Sequence, residues 1–160
     1  MSDEKKFVYV TYIATTPDKV WTALLDGEVT RQYWGGHVNV PAAGWTRGAK
    51  WKHVAEGGKG AVRHVGEVLE IVPQKRLVLS WSNPELAADK SKETRVAMDI
   101  EQVGSMVRLT VVHDDLYPDM ARRITYGWPL VLSSLKSFLE TGRAMDIFQS
   151  SPPVGTTACA

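Results

Sequence analysis

One long amphipathic segment constrains the fold of this 160-residue chain more than any other feature. Over residues 115–142 apolar side chains recur at helical spacing, so one stripe is apolar and the opposite side is polar. Pro118 suits a first helical position and Gly142 suits a C-cap, whereas Pro129 predicts a kink in mid-helix. The stripe consists of Met120, Ile124, Trp128, Val131, Leu132, Leu135, Phe138 and Leu139. A helix this apolar needs a broad partner to cover it.

The residues before this helix predict that partner. Strands at 63–72 and 76–82 form one hairpin around a turn at 73–75, and strands at 93–102 and 105–114 form a second. In the second hairpin apolar and mixed positions alternate, which indicates an antiparallel sheet covered on one side. By the same counting, Glu67 and Glu70 are at odd spacing on one strand and are expected on opposite faces.

The first sixty residues predict a strand at 7–14, a short helix that starts after Thr16 and stops near Gly27, and a second short helix at 28–34. Short strands at 38–40 and 49–54 follow within a glycine-rich region. The whole order predicts an α+β fold, with a curved antiparallel sheet wrapped around a long C-terminal helix and two short helices after the first strand. We expect a single domain over residues 1–145 and a C-terminal tail over 146–160, of which the last ten residues are flexible.

Composition narrows the classes of function. The net charge of +1 provides no electrostatic basis for binding nucleic acid or an anionic membrane. Cys159 is the single cysteine, so an internal disulfide is excluded. No apolar run approaches the ~18 residues of a membrane span, and the charged N-terminus is unlike a signal segment. These features predict a soluble cytoplasmic protein.

Several segments together resemble a known family. They are TPDKVWTAL at 16–24, GEVLEIVP at 66–73, RLVLSW at 76–81, VRLTVVH at 107–113 and GWP at 127–129. In this order and spacing the chain resembles the helix-grip (START-like, SRPBCC) superfamily, and within it the branch of Activator of Hsp90 ATPase homologue 1-like proteins. The resemblance covers residues 7–142 and implies a helix-grip fold with a deep hydrophobic cavity between the sheet and the long helix. It implies no shared catalytic residue set and no Hsp90 partnership.

A cavity in that place would be lined by aromatic, apolar and a few polar side chains. The predicted lining residues are Trp34, Trp51, His64, Val68, Trp81, Met98, His113, Trp128 and Leu132. His113 shares its strand parity with Val111 and so is expected on the covered face, either as a ligand contact or general base or as a core histidine bonded to a neighbour. The four histidines lack the spacing of a metal site, so no metal and no cofactor are expected.

Three further positions carry expectations about the cavity. Trp45, which lies between Gly44 and Gly48, is expected at its mobile mouth. Gly127 is expected to permit close approach of the helix to the sheet. The pair Arg122-Arg123 is interpreted as a solvated helix face.

Three functions fit this sequence. The first is a module that binds a hydrophobic or aromatic small molecule under the long helix. The second is an enzyme of the cyclase, aromatase or hydrolase kind, with His113 as the reactive group. The third is a protein-interaction role, as a homodimer or as an Hsp90 co-chaperone, and the Hsp90 interaction is not expected.

Overall fold

The computed structural model describes residues 5–148 of the chain, and its elements follow the predicted order. The strands are β1 Phe7–Ile13, β2 Val38–Pro41, β3 Lys50–Val54, β4 Val62–Val72, β5 Arg76–Trp81, β6 Thr94–Val103 and β7 Met106–Asp114. The helices are α1 Pro17–Leu25, α2 Gly27–Tyr33 and α3 Pro118–Thr141.

All seven strands form one antiparallel sheet in the order β1-β7-β6-β5-β4-β3-β2. From β2 to β7 each strand pairs with its neighbour in sequence, while β1 adds to the free edge of β7. The register sets Val96 opposite both Leu79 and His113, so inward-facing side chains line up across three strands. Because both predicted hairpins are present, the meander expected from the period-two pattern is confirmed.

Strand β4 changes its phase part-way along. Its pairing with β5 shifts between Val68 and Glu70, which marks a β-bulge. Val68 and Ile71 therefore both pair with inward-facing core residues of β5, although they are three residues apart. The expectation that Glu67 and Glu70 lie on opposite faces was wrong, because the extra residue at the bulge turns both carboxylates outward.

The long helix begins at Pro118, the first helical position that the sequence predicted. Asp115 has φ 59°, a left-handed conformation, and the helix starts after this turn at Pro118. Gly142 ends it as predicted, with φ 81° and an N–H donated to the Phe138 carbonyl over 2.8 Å. The helix continues through Pro129.

The core lies between the inner face of the sheet and the stripe of α3. Leu109 and Val111 of β7 and Leu135 of α3 are completely buried there. Helix α2 packs against β2 and helix α1 against β6, and the buried hydroxyl of Tyr33 in α2 donates to the Ala23 carbonyl of α1 over 2.8 Å. Within residues 5–148, the helices are too short or too polar to cross a membrane.

After α3 the chain folds back along the helix. The buried hydroxyl of Ser134 accepts a hydrogen bond from the Met145 N–H (3.0 Å) and donates to the Met145 carbonyl (3.3 Å). Ile147 packs against the core and Phe148 against the His37 ring, so the start of the segment that the sequence assigns to the tail contacts the domain. The rest of that tail, residues 149–160, lies outside the described residues, together with Cys159.

Candidate functional site

A pocket of about 220 Å³ opens between the first half of α3 and the end of the sheet formed by β3, β4 and β5. Here it is called the aromatic pocket. Its helical wall consists of Met120, Arg123, Ile124, Gly127, Trp128 and Val131. The remaining walls are formed by Trp34, His37, His53, Arg63, His64, Trp81 and Phe148.

The helical wall follows from the spacing of α3. Its six residues are separated by three, one, three, one and three positions, the pattern of a single helix face. At Gly127 a Cβ would meet no other atom within 4 Å. The expectation that Gly127 permits close approach to the sheet was therefore wrong, since the missing side chain instead leaves part of the pocket open.

Three tryptophans form the floor of the aromatic pocket. The ring of Trp34, at the C-terminal end of α2, lies 5.6 Å from the ring of Trp128 on α3 and 6.4 Å from that of Trp81 on β5. Trp81 and Trp128 are 5.6 Å apart. These separations fall within the range of favourable aromatic contacts, and all three rings are at most 7% exposed. The pocket thus has a buried aromatic base to which three different elements contribute.

Two of the histidines on the wall present a lone pair. His53 Nδ1–H donates to Asn39 Oδ1 over 2.7 Å, while the Asn39 amide nitrogen donates to the Leu24 carbonyl. The ring of His37 stacks on that of His53 at 5.1 Å and hydrogen-bonds the Trp34 carbonyl through Nδ1. In both rings Nδ1 is the donor, so Nε2 is left as an acceptor. Burial lowers the pKa of His53 to about 2 and also lowers the pKa of His37.

His64 and Trp81 carry polar atoms that the fold does not satisfy. Their rings are 4.8 Å apart, and neither His64 Nδ1 nor Trp81 Nε1 has a hydrogen-bond partner within residues 5–148. Burial, reinforced by the positive charge of Arg123, lowers the pKa of His64 to about 4, so its ring is neutral at neutral pH. A buried polar atom without a partner costs about 1–3 kcal/mol. A wall with two such atoms favours a molecule that can bond to them.

His113 is held in a closed hydrogen-bond network behind the tryptophan floor. The Trp128 indole N–H donates to His113 Nδ1 over 3.0 Å, and His113 Nε2–H donates to the Thr94 hydroxyl over 2.8 Å. That hydroxyl in turn donates to the Trp81 carbonyl over 2.6 Å. Burial lowers the pKa of His113 to about 3. Both ring nitrogens are occupied, so the geometry matches the core-histidine interpretation and leaves no lone pair for a general base.

Two arginines stand at the mouth of the aromatic pocket. Arg63 comes from β4 and Arg123 from α3, and both also border a neighbouring surface groove. The solvated-face interpretation holds for Arg122, which is exposed and lies 3.5 Å from Asp119. It was incomplete for Arg123, because one residue further along the helix the side chain reaches the pocket.

The segment after α3 covers one side of the mouth. Phe148 lies edge-on to the His37 ring at 5.3 Å and fills the space above Gly35. A Cβ at Gly35 would lie only 2.2 Å from the Phe148 ring, and Gly35 has φ 58°. Glycine is therefore needed there for both the turn and the contact. Phe148 falls within the predicted tail, where no sequence pattern pointed to the site.

The sequence-predicted lining residues separate into two groups. Trp34, His64, Trp81 and Trp128 line the aromatic pocket. The other five contribute to the core around it and do not line it, namely Trp51, Val68, Met98, His113 and Leu132. All five are buried, and the core closes over them with side chains, so the aromatic pocket is confined to one end of the interface between sheet and helix.

Trp51 and Trp45 have structural partners elsewhere. The Trp51 indole crosses Gly66 and donates to the Ser80 carbonyl over 3.2 Å, and a Cβ at Gly66 would lie 1.9 Å from that oxygen. The Trp45 indole donates to the Leu25 carbonyl at the end of α1 over 3.0 Å. Trp45 thus anchors a loop to α1 and is absent from the lining of the aromatic pocket, contrary to the expectation of a mobile mouth.

Some lining residues that were not predicted could have been found from the sequence, and others could not. Ile124, Gly127 and Val131 could have been found by stepping three and four residues from Trp128 along the helix. The positions of Arg63, His37 and Phe148 at the pocket depend on how a bent strand, a loop and the return segment meet in space, which the sequence pattern does not reveal.

No group of three or more histidine, cysteine or acidic side chains within residues 5–148 is arranged to hold a metal ion.

Comparison with known proteins relates this geometry to a family. The model of the family described as Activator of Hsp90 ATPase homolog 1-like protein matches residues 14–140. No curated protein sequence matches the chain.

Solved structures share the helix-grip fold. The Aha1 dimer from Colwellia psychrerythraea superposes with a TM-score of 0.71 at 19% identity, over 87% of this chain and 98% of that one. An Hsp90 activator from Plasmodium falciparum gives 0.69 at 16% identity, over 84% and 96%. CalU16 from Micromonospora echinospora gives 0.65 at 17% identity, over 86% and 77%. At these identities the likeness shows the fold alone.

Proposed function

This chain belongs to the Activator of Hsp90 ATPase homolog 1-like family, and we propose that it binds a small aromatic molecule in the aromatic pocket. The observation that carries the proposal is the set of walls, in which three tryptophan rings meet two polar atoms without partners, His64 Nδ1 and Trp81 Nε1. Sites for small molecules combine such apolar surfaces with a few polar groups that fix orientation.

The size of the pocket limits the ligand. A dry cavity of ~150 Å³ accepts a benzene molecule, and drug-sized ligands occupy clefts of roughly 300–1,000 Å³. At about 220 Å³ the aromatic pocket lies between these values. We therefore propose a ligand of one or two rings. A long lipid or a large polycycle would require the core residues behind the tryptophan floor to move.

Gly127 provides the sharpest test. In Gly127→Phe a side chain would enter the open space on the helical wall, where a Cβ meets no other atom within 4 Å. We expect this variant to fold and to lose binding of single-ring and two-ring aromatic compounds, measured by quenching of tryptophan fluorescence and by calorimetry. Gly127→Ala is the matched control, which adds one methyl group and should keep most of the affinity.

The outcomes separate the proposal from its alternatives. Compounds that bind the wild type and Gly127→Ala but not Gly127→Phe would support it. Equal affinity for wild type and Gly127→Phe would place binding elsewhere. Failure of every member of a broad panel of one-ring and two-ring compounds, charged and neutral, to bind the wild type would overturn it.

An enzymatic role through His113 has little support, because both nitrogens of that ring are already bonded. The family description and the relative from Plasmodium falciparum raise an Hsp90 role. We propose that this chain does not act on Hsp90. A molar excess of the protein should then leave the ATPase rate of Hsp90 unchanged, and a several-fold stimulation would contradict this.

A further inference from the structure

We infer that the molecule bound in the aromatic pocket is an aromatic carboxylic acid, whose rings lie on the tryptophan floor and whose carboxylate lies between Arg63 and Arg123 at the mouth. The inference rests on the proposed function and adds the chemical class of the ligand. It is argued from the charges that line the pocket.

The formal charge on the walls of the pocket is entirely positive. Arg63 and Arg123 are the charged residues in its lining, which contains no aspartate or glutamate. Among the ion pairs within residues 5–148, neither arginine takes part. Glu85 borders the adjoining groove with both arginines, yet it is paired with neither. Within the described residues, two guanidinium groups at one opening thus have no ion-pair partner.

The histidines do not change the net positive charge of the pocket walls. Burial lowers the pKa values of His37, His53 and His64, so at neutral pH their rings carry no charge and add only polarity. Arg63 and Arg123 line the pocket together with His64, and the positive charges of both contribute to the lowered pKa of that histidine. A ligand at that wall experiences their summed potential.

Arginine also suits a carboxylate in its geometry. The planar guanidinium offers paired N–H donors that match the two oxygens of a carboxylate, and such charge-assisted bonds are about twice as strong as neutral ones. Next to the low-dielectric floor of the pocket, the attraction is greater than on an open surface. The aromatic part of the ligand would then lie inward, on Trp34, Trp81 and Trp128, where the pocket is apolar.

A matched pair of compounds tests the charge directly. 2-Naphthoate and 2-naphthamide have two rings and nearly the same shape, but only the first is an anion at pH 7.5. We expect wild-type protein to bind the acid roughly tenfold or more tightly than the amide by calorimetry. We also expect this preference to weaken as salt rises from 50 to 500 mM.

The arginines are tested by neutral substitution. The double variant Arg63→Gln/Arg123→Gln should bind the acid about tenfold less tightly, and its loss of affinity for the amide should be much smaller. Arg122→Gln is the matched control, since this neighbour is exposed, pairs with Asp119 and does not line the pocket. All three side chains are exposed, so melting temperatures should stay close to wild type.

Each result decides between the two proposals. If acid and amide bind with equal affinity, or if the double variant keeps the preference for the acid, the charge inference is overturned while the binding function survives. If neither compound nor any of their one-ring analogues binds the wild type, both proposals are overturned. A preference for the acid that Arg122→Gln removes as fully as the double variant would assign it to general surface charge and would also overturn the inference.

Discussion

At the residue scale, the histidines show how burial decides chemistry. A neutral imidazole has one donor and one acceptor, and in His113 both are used within the fold. In His53 and His37 the donor is used, and the acceptor remains available beside the pocket. The same side chain thus serves as a structural bond in one place and as a polar wall in another.

The buried histidines predict how stability depends on pH. The pKa values of His53, His64 and His113 in the folded protein are about 2, 4 and 3, below the ~6.5 of an unfolded chain. As pH falls below ~6.5 the unfolded chain binds protons that the folded chain cannot, so the folded state loses stability. We expect the free energy of unfolding to fall by on the order of 1 kcal/mol per pH unit for each histidine between pH 6.5 and 5. Urea unfolding at half-unit steps measures it, and a flat profile over this window would contradict the assignment.

Gly66 should be intolerant of any side chain. In Gly66→Ala the new methyl carbon would lie 1.9 Å from the Ser80 carbonyl oxygen and 2.7 Å from the Trp51 indole nitrogen. Because the first of these atoms belongs to the backbone of β5, the strands would have to separate. We expect a loss of about 3 kcal/mol in unfolding free energy by urea denaturation, and an unchanged stability would show that the close approach is not needed.

Gly127 should behave in the opposite way. It lies within α3, where alanine is favoured over glycine by roughly 0.5–1 kcal/mol, and its missing Cβ faces open space. We expect Gly127→Ala to raise the free energy of unfolding by about that amount, measured as for Gly66→Ala. A destabilised Gly127→Ala would indicate that the helix and the sheet are closer at this point than the structure shows.

At the element scale, the two halves of α3 have different structural roles. Its second half, around Leu132 and Leu135, closes the core, whereas its first half forms one wall of the aromatic pocket. The return segment 143–148 covers one side of the mouth and is hydrogen-bonded to the helix through Ser134. The pocket therefore depends on the end of the domain as well as on its centre.

Ser134→Ala should release that return segment. The variant removes both hydrogen bonds to Met145 and with them the anchor that positions Phe148. We expect faster amide hydrogen exchange over residues 143–148 and a loss of about 1–2 kcal/mol in stability. Ser133→Ala is the control, because within the described residues the Ser133 hydroxyl forms no hydrogen bond, whereas that of Ser134 forms two. Unchanged exchange in Ser134→Ala would contradict the anchor.

The helices and strands were largely predictable from the sequence, but a local irregularity in β4 was not. Period-two alternation identified β6 and β7, while Pro118 and Gly142 marked the ends of α3. The bulge in β4 was not visible, because nothing in the alternation around Glu67 and Glu70 marks one extra residue.

At the scale of the whole molecule, the fold and family could be predicted, but the extent of the pocket could not. Aromatic content indicated a cavity, yet Trp51 and Trp45 bond to backbone carbonyls away from it. Whether a large ring fills the core or lines a void depends on packing across several elements. The deep cavity expected under the helix is in fact a pocket of about 220 Å³ at one end.

The central claim, that this pocket receives an aromatic molecule, can be tested on the six indole N–H groups of the protein. Each gives its own signal in a ¹⁵N–¹H correlation spectrum during titration with 2-naphthoate. We predict that the signals of Trp34, Trp81 and Trp128 shift with a common saturation curve, while those of Trp21 and Trp45 stay in place. Signals that do not move, or shifts confined to Trp21 and Trp45, would contradict the account.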